Sequence, residues 1–217
     1  MAGVIFASTF SASWMRSLLY LWLFAMALAL AGGMPGSAAA AQQHGEITDM
    51  RVERTPEGLL LSAAWRLDLP SLVETALYQG IAMHFVAEAQ VLRPRWYWSD
   101  RMVARATRYL RLSYQPLTRR WRLVQASSAQ DLTGLGMALG QSFDELPEAL
   151  AAMQRLARWK IAEADELDDE RMYEVSFQFR LDTSQLPRPL QFGTLGKPGW
   201  AVALARRVEL PPAEAAQ

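Results

Sequence analysis

Cysteine is absent from this 217-residue chain, and the only histidines are His44 and His84. Without cysteine there is no disulfide framework, no thiolate zinc site, no cysteine nucleophile and no lipid-bearing N-terminal cysteine. Two histidines are too few for a closed metal site, so no metal or other cofactor is expected. An excess of either charge is missing too, since 22 Lys and Arg residues balance 22 Asp and Glu. A polybasic nucleic-acid tail is therefore not the theme. G-x-S-x-G, H-E-x-x-H and Walker motifs are lacking. Gly134-Leu135-Gly136 followed by Gly140 lacks the dinucleotide-binding spacing and reads as a loop. No catalytic residue can be nominated. What is plentiful is apolar: 51% of residues are hydrophobic, which excludes disorder as the general state.

The longest apolar run, Leu18 to Ala31, is too short to span about 30 Å of hydrocarbon at 1.5 Å per residue. It fits the h-region of a secretory signal. Gly32, Gly33, Pro35 and Gly36 break it, and Ser37 to Ala41 supplies small residues where signal peptidase needs them. Cleavage after Ala41 is expected, leaving 42–217 as one mainly-β periplasmic domain. Translation from Met15 would give a shorter, more ordinary signal.

Beyond Ala41, period-two alternation dominates. Gln42 to Gly45 reads as a mobile end. Glu46–Glu53 and Leu59–Leu67, joined by Thr55-Pro56-Glu57-Gly58, predict a β-hairpin. Asp68 is placed as a helix cap, with Pro70 in the first turn and Gly80 closing the helix. Strands are predicted over Ile81–Val91, Val103–Tyr114, Arg119–Ala126, Met137–Phe143, Trp159–Glu163, Arg171–Leu181 and Trp200–Leu210. A second helix is predicted with Asp144 as cap and Leu146, Leu150, Met153 and Leu156 as its stripe. Long strands joined by turns imply antiparallel pairing. The expected fold is mainly β: an antiparallel β-sandwich or half-open barrel with two short helices. One faint echo is present: Trp65-Arg66-Leu67-Asp68 and Phe179-Arg180-Leu181-Asp182 both end a strand.

Charge is bipolar along the chain. Arg93 to Arg122 holds nine arginines (93, 95, 101, 105, 108, 111, 119, 120 and 122) and one acid, Asp100, so the remainder is acidic. The same segment carries Trp96, Tyr97, Trp98, Tyr109, Tyr114 and Trp121. Period two puts Trp96 and Trp98 on one face of a strand. Arginine forks suit phosphate and carboxylate and stack on rings. The candidate binding residues are Arg93, Arg95, Trp96, Trp98, Arg105, Tyr109, Arg111, Arg120 and Arg122. Reversing the charge of Arg105 and Arg111 is expected to leave folding nearly intact. Arg108 falls on the apolar side and is expected to be buried and paired. The six carboxylates between Glu163 and Glu170 lack a calcium-loop ligand order and read as a solvated loop. His84, beside Glu88 on a polar strand face, reads as exposed or hydrogen-bonded.

Several blocks carry a family resemblance: Trp65-Arg66-Leu67-Asp68-Leu69-Pro70, Arg95-Trp96-Tyr97-Trp98-Ser99-Asp100, Tyr109 to Tyr114, Leu117-Thr118-Arg119, Ser142-Phe143 and Leu186-Pro187-Arg188-Pro189-Leu190-Gln191. With the preceding signal, they make the chain similar to a proteobacterial exported family, domain of unknown function 4390. The family has no established activity. Its members are often encoded near a nitrogen-regulation-type sensor kinase and an rRNA methyltransferase, which implies at most a role in envelope sensing.

The expectation is a non-catalytic periplasmic binding or accessory module. Its arginine–aromatic face would contact an anionic envelope component or an envelope protein such as a sensor kinase. No nucleic acid is expected for an exported chain, and the oligomeric state is open. Two alternatives stand beside it: an envelope glycan-processing enzyme and a purely structural interaction protein.

Overall fold

The computed structural model describes residues 45–97, 99–132, 139–187 and 198–213. The predicted signal, the 42–44 segment, Trp98, the Gly134–Gly136 stretch and the Arg188–Gln191 part of the family motif lie outside the described residues.

The elements are β1 (Gly45–Thr55), β2 (Gly58–Leu67), α1 (Ser71–Tyr78), β3 (Met83–Arg93), β4 (Arg101–Gln115), β5 (Arg120–Ala126), β6 (Leu139–Phe143), α2 (Leu146–Met153), β7 (Arg155–Glu163), β8 (Tyr173–Leu181) and β9 (Ala203–Leu210). Strands β1-β2-β7 form one sheet and β6-β5-β4-β3-β8-β9 the other. Every pairing is antiparallel. The architecture is the sandwich form of the predicted fold, with no closed barrel among the described residues.

Alternation decides which face is buried. On β3, Met83, Phe85, Ala87, Ala89 and Val91 are fully buried, and their neighbours in sequence point the other way. On β2, Leu59, Leu61, Ala63, Trp65 and Leu67 do the same. The sheets meet where the Trp65 ring lies 4.7 Å from Phe179 and 5.5 Å from Phe177, with Phe179 stacked on Phe85 at 5.5 Å. Each fully buried Leu or Phe contributes roughly 1.5–3 kcal/mol relative to exposure. At one corner the Arg206 guanidinium on β9 donates to the Ile47 carbonyl on β1 at 3.1 Å, bridging the two sheets with a side chain.

The helices differ from expectation in their starts. Pro70 is the N-cap of α1, and no side chain, Asp68 included, caps it. A proline needs no donor there and its fixed φ already suits helix entry. Glu145, not Asp144, precedes α2, whose Pro147 lies in the first turn. Leu156 is not on this helix: β7 begins at Arg155, only one residue beyond the α2 C-cap Gln154. Gly45 is not part of a mobile end but pairs with Leu67 in β1. The α1 helix seats Tyr78 edge-on against Tyr114 and Trp121, at 5.6 and 5.2 Å.

Candidate binding surface

The β3–β4 register puts Met83, Phe85, Ala87, Ala89 and Val91 inside, so the intervening residues form the outer face of the larger sheet. Along β4 that face carries Arg105, Thr107, Tyr109, Arg111 and Ser113. Cross-strand pairing adds Arg122 opposite Ser113, Arg120 opposite Gln115, Arg180 opposite Val86 and Arg207 opposite Ser176. Five of the predicted residues, Arg105, Tyr109, Arg111, Arg120 and Arg122, therefore share one surface.

The arginines on it are not equivalent. Arg105 lies 2.8 Å from Glu88, whose residue exposure is only 8%. Gln90 also donates to the Glu88 carboxylate. Burial pushes this carboxyl up, but the hydrogen bonds from Arg105 and Gln90 and the charges of Arg105 and Arg180 outweigh it, so its pKa is lowered. Arg120 pairs with Asp144 at 3.0 Å, and Arg207 with Glu174 at 3.0 Å. Arg111 donates to the Leu132 carbonyl at 3.2 Å, while its buried Nε finds no acceptor among the described residues. Arg122 and Arg180 are exposed and form no ion pair among the described residues.

A small apolar island interrupts the charges. Val124, Ala126 and Leu132 pack together with half-buried Tyr109, so the start of the polar stretch after β5 folds over the sheet. Tyr109 is thus packed rather than presented as an open stacking platform. His84 lies opposite Arg111 on the same face. Burial lowers its pKa, the Arg111 charge adds to that, and Asp182 opposes it.

The other predicted residues lie elsewhere. Arg93 ends β3, and Arg95 and Trp96 belong to the connection to β4, not to a strand. Trp96 is 93% exposed and meets Tyr97 edge-on at 4.9 Å, so it is not core. Arg93 and Arg101 face each other across the β3–β4 register and line a cleft of about 320 Å³ whose other wall is Asp165 to Asp168. Arg108, on the inner side, is only half-buried where burial was expected, and its partner is the Trp159 ring at 5.2 Å, with no carboxylate pairing with it among the described residues. Burial lowers its pKa.

Residues 42–209 match the model of the family described as Domain of unknown function (DUF4390). The chain belongs to that family. No curated protein and no solved structure matches it. In this DUF4390 chain the described residues of the Arg95–Asp100 block lie in the exposed β3–β4 connection, while Tyr109, Arg111 and Ser113 of the Tyr109–Tyr114 block lie in the middle of the arginine face. Among the described residues, no group of three His, Asp or Glu side chains is placed to hold a metal, and no helix is long and apolar enough to cross a membrane.

Sequence reasoning missed Glu88, Arg180 and Arg207 as members of this surface. Their polar positions on alternating strands were readable. Glu88 meets Arg105 through the β3–β4 pairing, whereas Arg180 and Arg207 join through β3–β8 and β8–β9 pairing, which no local pattern encodes. Arg54 was missed as well. It donates to Asp169, to the Arg171 carbonyl and to the Pro211 carbonyl at 3.2–3.3 Å, and lies over Tyr173 at 5.6 Å. That clamp ties the acidic loop to the β1–β2 hairpin.

Proposed function

We propose that this chain is an exported, non-catalytic binding or accessory module, cleaved after Ala41, that works in the periplasm. Its arginine-bearing sheet face receives an anionic envelope component or the acidic surface of a membrane sensor protein. The observation that carries this reading is the trio Arg111, Arg122 and Arg180. All three stand on one sheet face, and none is in an ion pair among the described residues. A guanidinium with unused donors is suited to a carboxylate or phosphate from outside. Diagonal neighbours on adjacent strands lie roughly 7–8 Å apart, so Arg111 and Arg122 are able to share one anionic group.

The test is recovery of a partner from a solubilised envelope fraction over a salt titration. The wild-type chain should retain a stoichiometric partner in low salt and release it as salt screens the face over a Debye length of about 8–10 Å. The Arg122→Ser/Arg180→Ser variant should fold normally and recover little. Equal recovery by the variant at every salt concentration would overturn the assignment to this face. Turnover of a muropeptide, ester, phosphate or glycoside substrate, abolished by changing one carboxylate, would replace it with the enzyme reading.

A further inference from the structure

We infer that the cleft between the start of β4 and the acidic loop is a second binding site, for a small zwitterion carrying a carboxylate or phosphate and an ammonium group. It lies apart from the sheet face proposed above, at the end of the sandwich where β3 hands over to β4. The first observation is a like-charge pair. Arg93 and Arg101 are direct cross-strand partners, a placement that disfavours the empty state unless an anion lies between them. Neither makes an ion pair among the described residues, although the Arg93 charge helps to hold the Asp168 carboxyl low, behind the larger effects of Arg171 and the Glu170 amide.

The second observation is the opposite wall. Asp165, Glu166 and Asp168 line the same cleft of about 320 Å³, with the buried Tyr173 among its lining. Asp168 is occupied by Arg171 at 3.0 Å, and Glu166 accepts from the Glu163 amide at 2.9 Å. Asp165 has no such partner among the described residues, so one carboxylate remains for a ligand cation. Two arginines on one wall repel a purely cationic ligand, and three carboxylates on the other repel a purely anionic one. A molecule bearing both charges satisfies both walls. The volume admits an amino acid, a dipeptide or a phosphoethanolamine group, and no macromolecular segment is required.

The loop is also held in place for such a role. A capping box, with Glu163 and Glu166 bonding each other's backbone amides, fixes the 3₁₀ turn Ala164–Glu166. The Tyr173 hydroxyl accepts from the Asp168 amide at 2.9 Å. The acidic wall is therefore a set structure against which a ligand can be read.

The experiment is an amide chemical-shift titration of the mature chain with four probes: glycylglycine, O-phosphoethanolamine, inorganic phosphate and ethylamine. The expected result is saturable shifts at 93, 101 and 165–168 with one of the two zwitterions. The carboxylate and phosphate arms tell which source of anion the arginines prefer. Inorganic phosphate and ethylamine should bind at least tenfold more weakly than the preferred zwitterion. Arg93→Gln/Arg101→Gln should abolish the response with the melting temperature retained, and Asp165→Asn should bring the zwitterion down to the affinity of its anion alone. Absence of saturation with both zwitterions, or equal affinity for phosphate and phosphoethanolamine, would overturn the proposal. The Arg122→Ser/Arg180→Ser variant should titrate as wild type, which separates failure here from failure of the sheet-face reading.

Discussion

Glu88 and Arg105 are joined at 2.8 Å although they are not opposite each other: Arg105 faces Gln90 in the register, and Glu88 faces Thr107. The pair is diagonal, and Gln90 donates to the same carboxylate from two residues along β3. This geometry corrects the expectation that charge reversal at Arg105 is harmless. An arginine on a solvent-facing strand position ordinarily tolerates replacement, but this one holds a nearly buried acid.

Arg105→Glu should therefore destabilise the fold by placing a second carboxylate beside Glu88, while Arg122→Glu should not. Arg105→Ala should release Glu88 from its strongest partner and raise its titration point. Glu88 titrates low in the folded state, so its contribution is present above the ordinary carboxylate range and is lost as pH falls through the folded value. Removing Arg105 moves that loss to higher pH. Acid unfolding followed by circular dichroism, with the Glu88 carboxyl carbon followed by NMR, reads both effects. An unchanged titration of Glu88 in Arg105→Ala would contradict the pairing.

His84 gives a second pH signature at higher pH. Its folded pKa is lowered by burial, then by Arg111, against a smaller opposing effect of Asp182. The unfolded chain, with an ordinary value near 6.5, takes up the proton first as pH falls. Stability should thus decline on acidification from about pH 6.5 toward the depressed value. His84→Gln should flatten that part of the profile without altering the carboxylate region below it. Urea midpoints at about pH 7.5 and about pH 5.5 suffice. A wild-type midpoint that does not move between them would refute the assignment.

Two glycines with positive φ should behave differently. Gly58 has φ +126° at the β1–β2 turn, and a Cβ there would come 2.1 Å from the Ala162 carbonyl on β7. Gly80 has φ +82°, but its nearest obstruction is Pro116 at 3.8 Å. Gly58→Ala has both strain and a backbone collision, so it should cost more than the roughly 1–3 kcal/mol of a strained backbone alone. Gly80→Ala should remain within that range. Chemical denaturation of the two variants gives the order, and a reversed order would show that the β1–β2 turn relaxes around the methyl group.

Most strands were legible because burial on one face writes a period of two into the sequence. Tyr173, Val175, Phe177, Phe179 and Leu181 are all buried, as their alternation implies. Even the faint W-R-L-D and F-R-L-D echo has a counterpart, since Trp65 and Phe179 meet ring to ring between the sheets. The errors lie at boundaries. Leu156 continues the apolar spacing of α2 by coincidence, because a strand residue facing the same core follows the helix almost at once. The candidate residues divided for a similar reason. Arg93 to Arg122 is continuous in sequence, but Pro94 ends β3 and sends Trp96 out on an exposed connection. Arg105, Arg111, Arg120 and Arg122 stay on the sheet. The partners of those arginines sit on other elements, Glu88 on β3 for Arg105 and Asp144 before α2 for Arg120, so charge pairing was invisible to any local window.

The place of β3 in its sheet also sets a timetable for folding. One edge of β3 is taken by β4, the next strand in sequence, but the other waits for Tyr173–Leu181. Until that segment arrives, the β3–β6 meander presents a long strand with an unsatisfied row of amides and carbonyls beside bare Phe85, Ala89 and Val91. Such late, non-local closure places all-β folding in the millisecond-to-second range, well behind local hairpin formation in about 1–10 μs. The same opening is a template for another copy of the chain. Refolding yield should therefore fall steeply with protein concentration, and a chaperone that shields β3 would act before β8 docks rather than after.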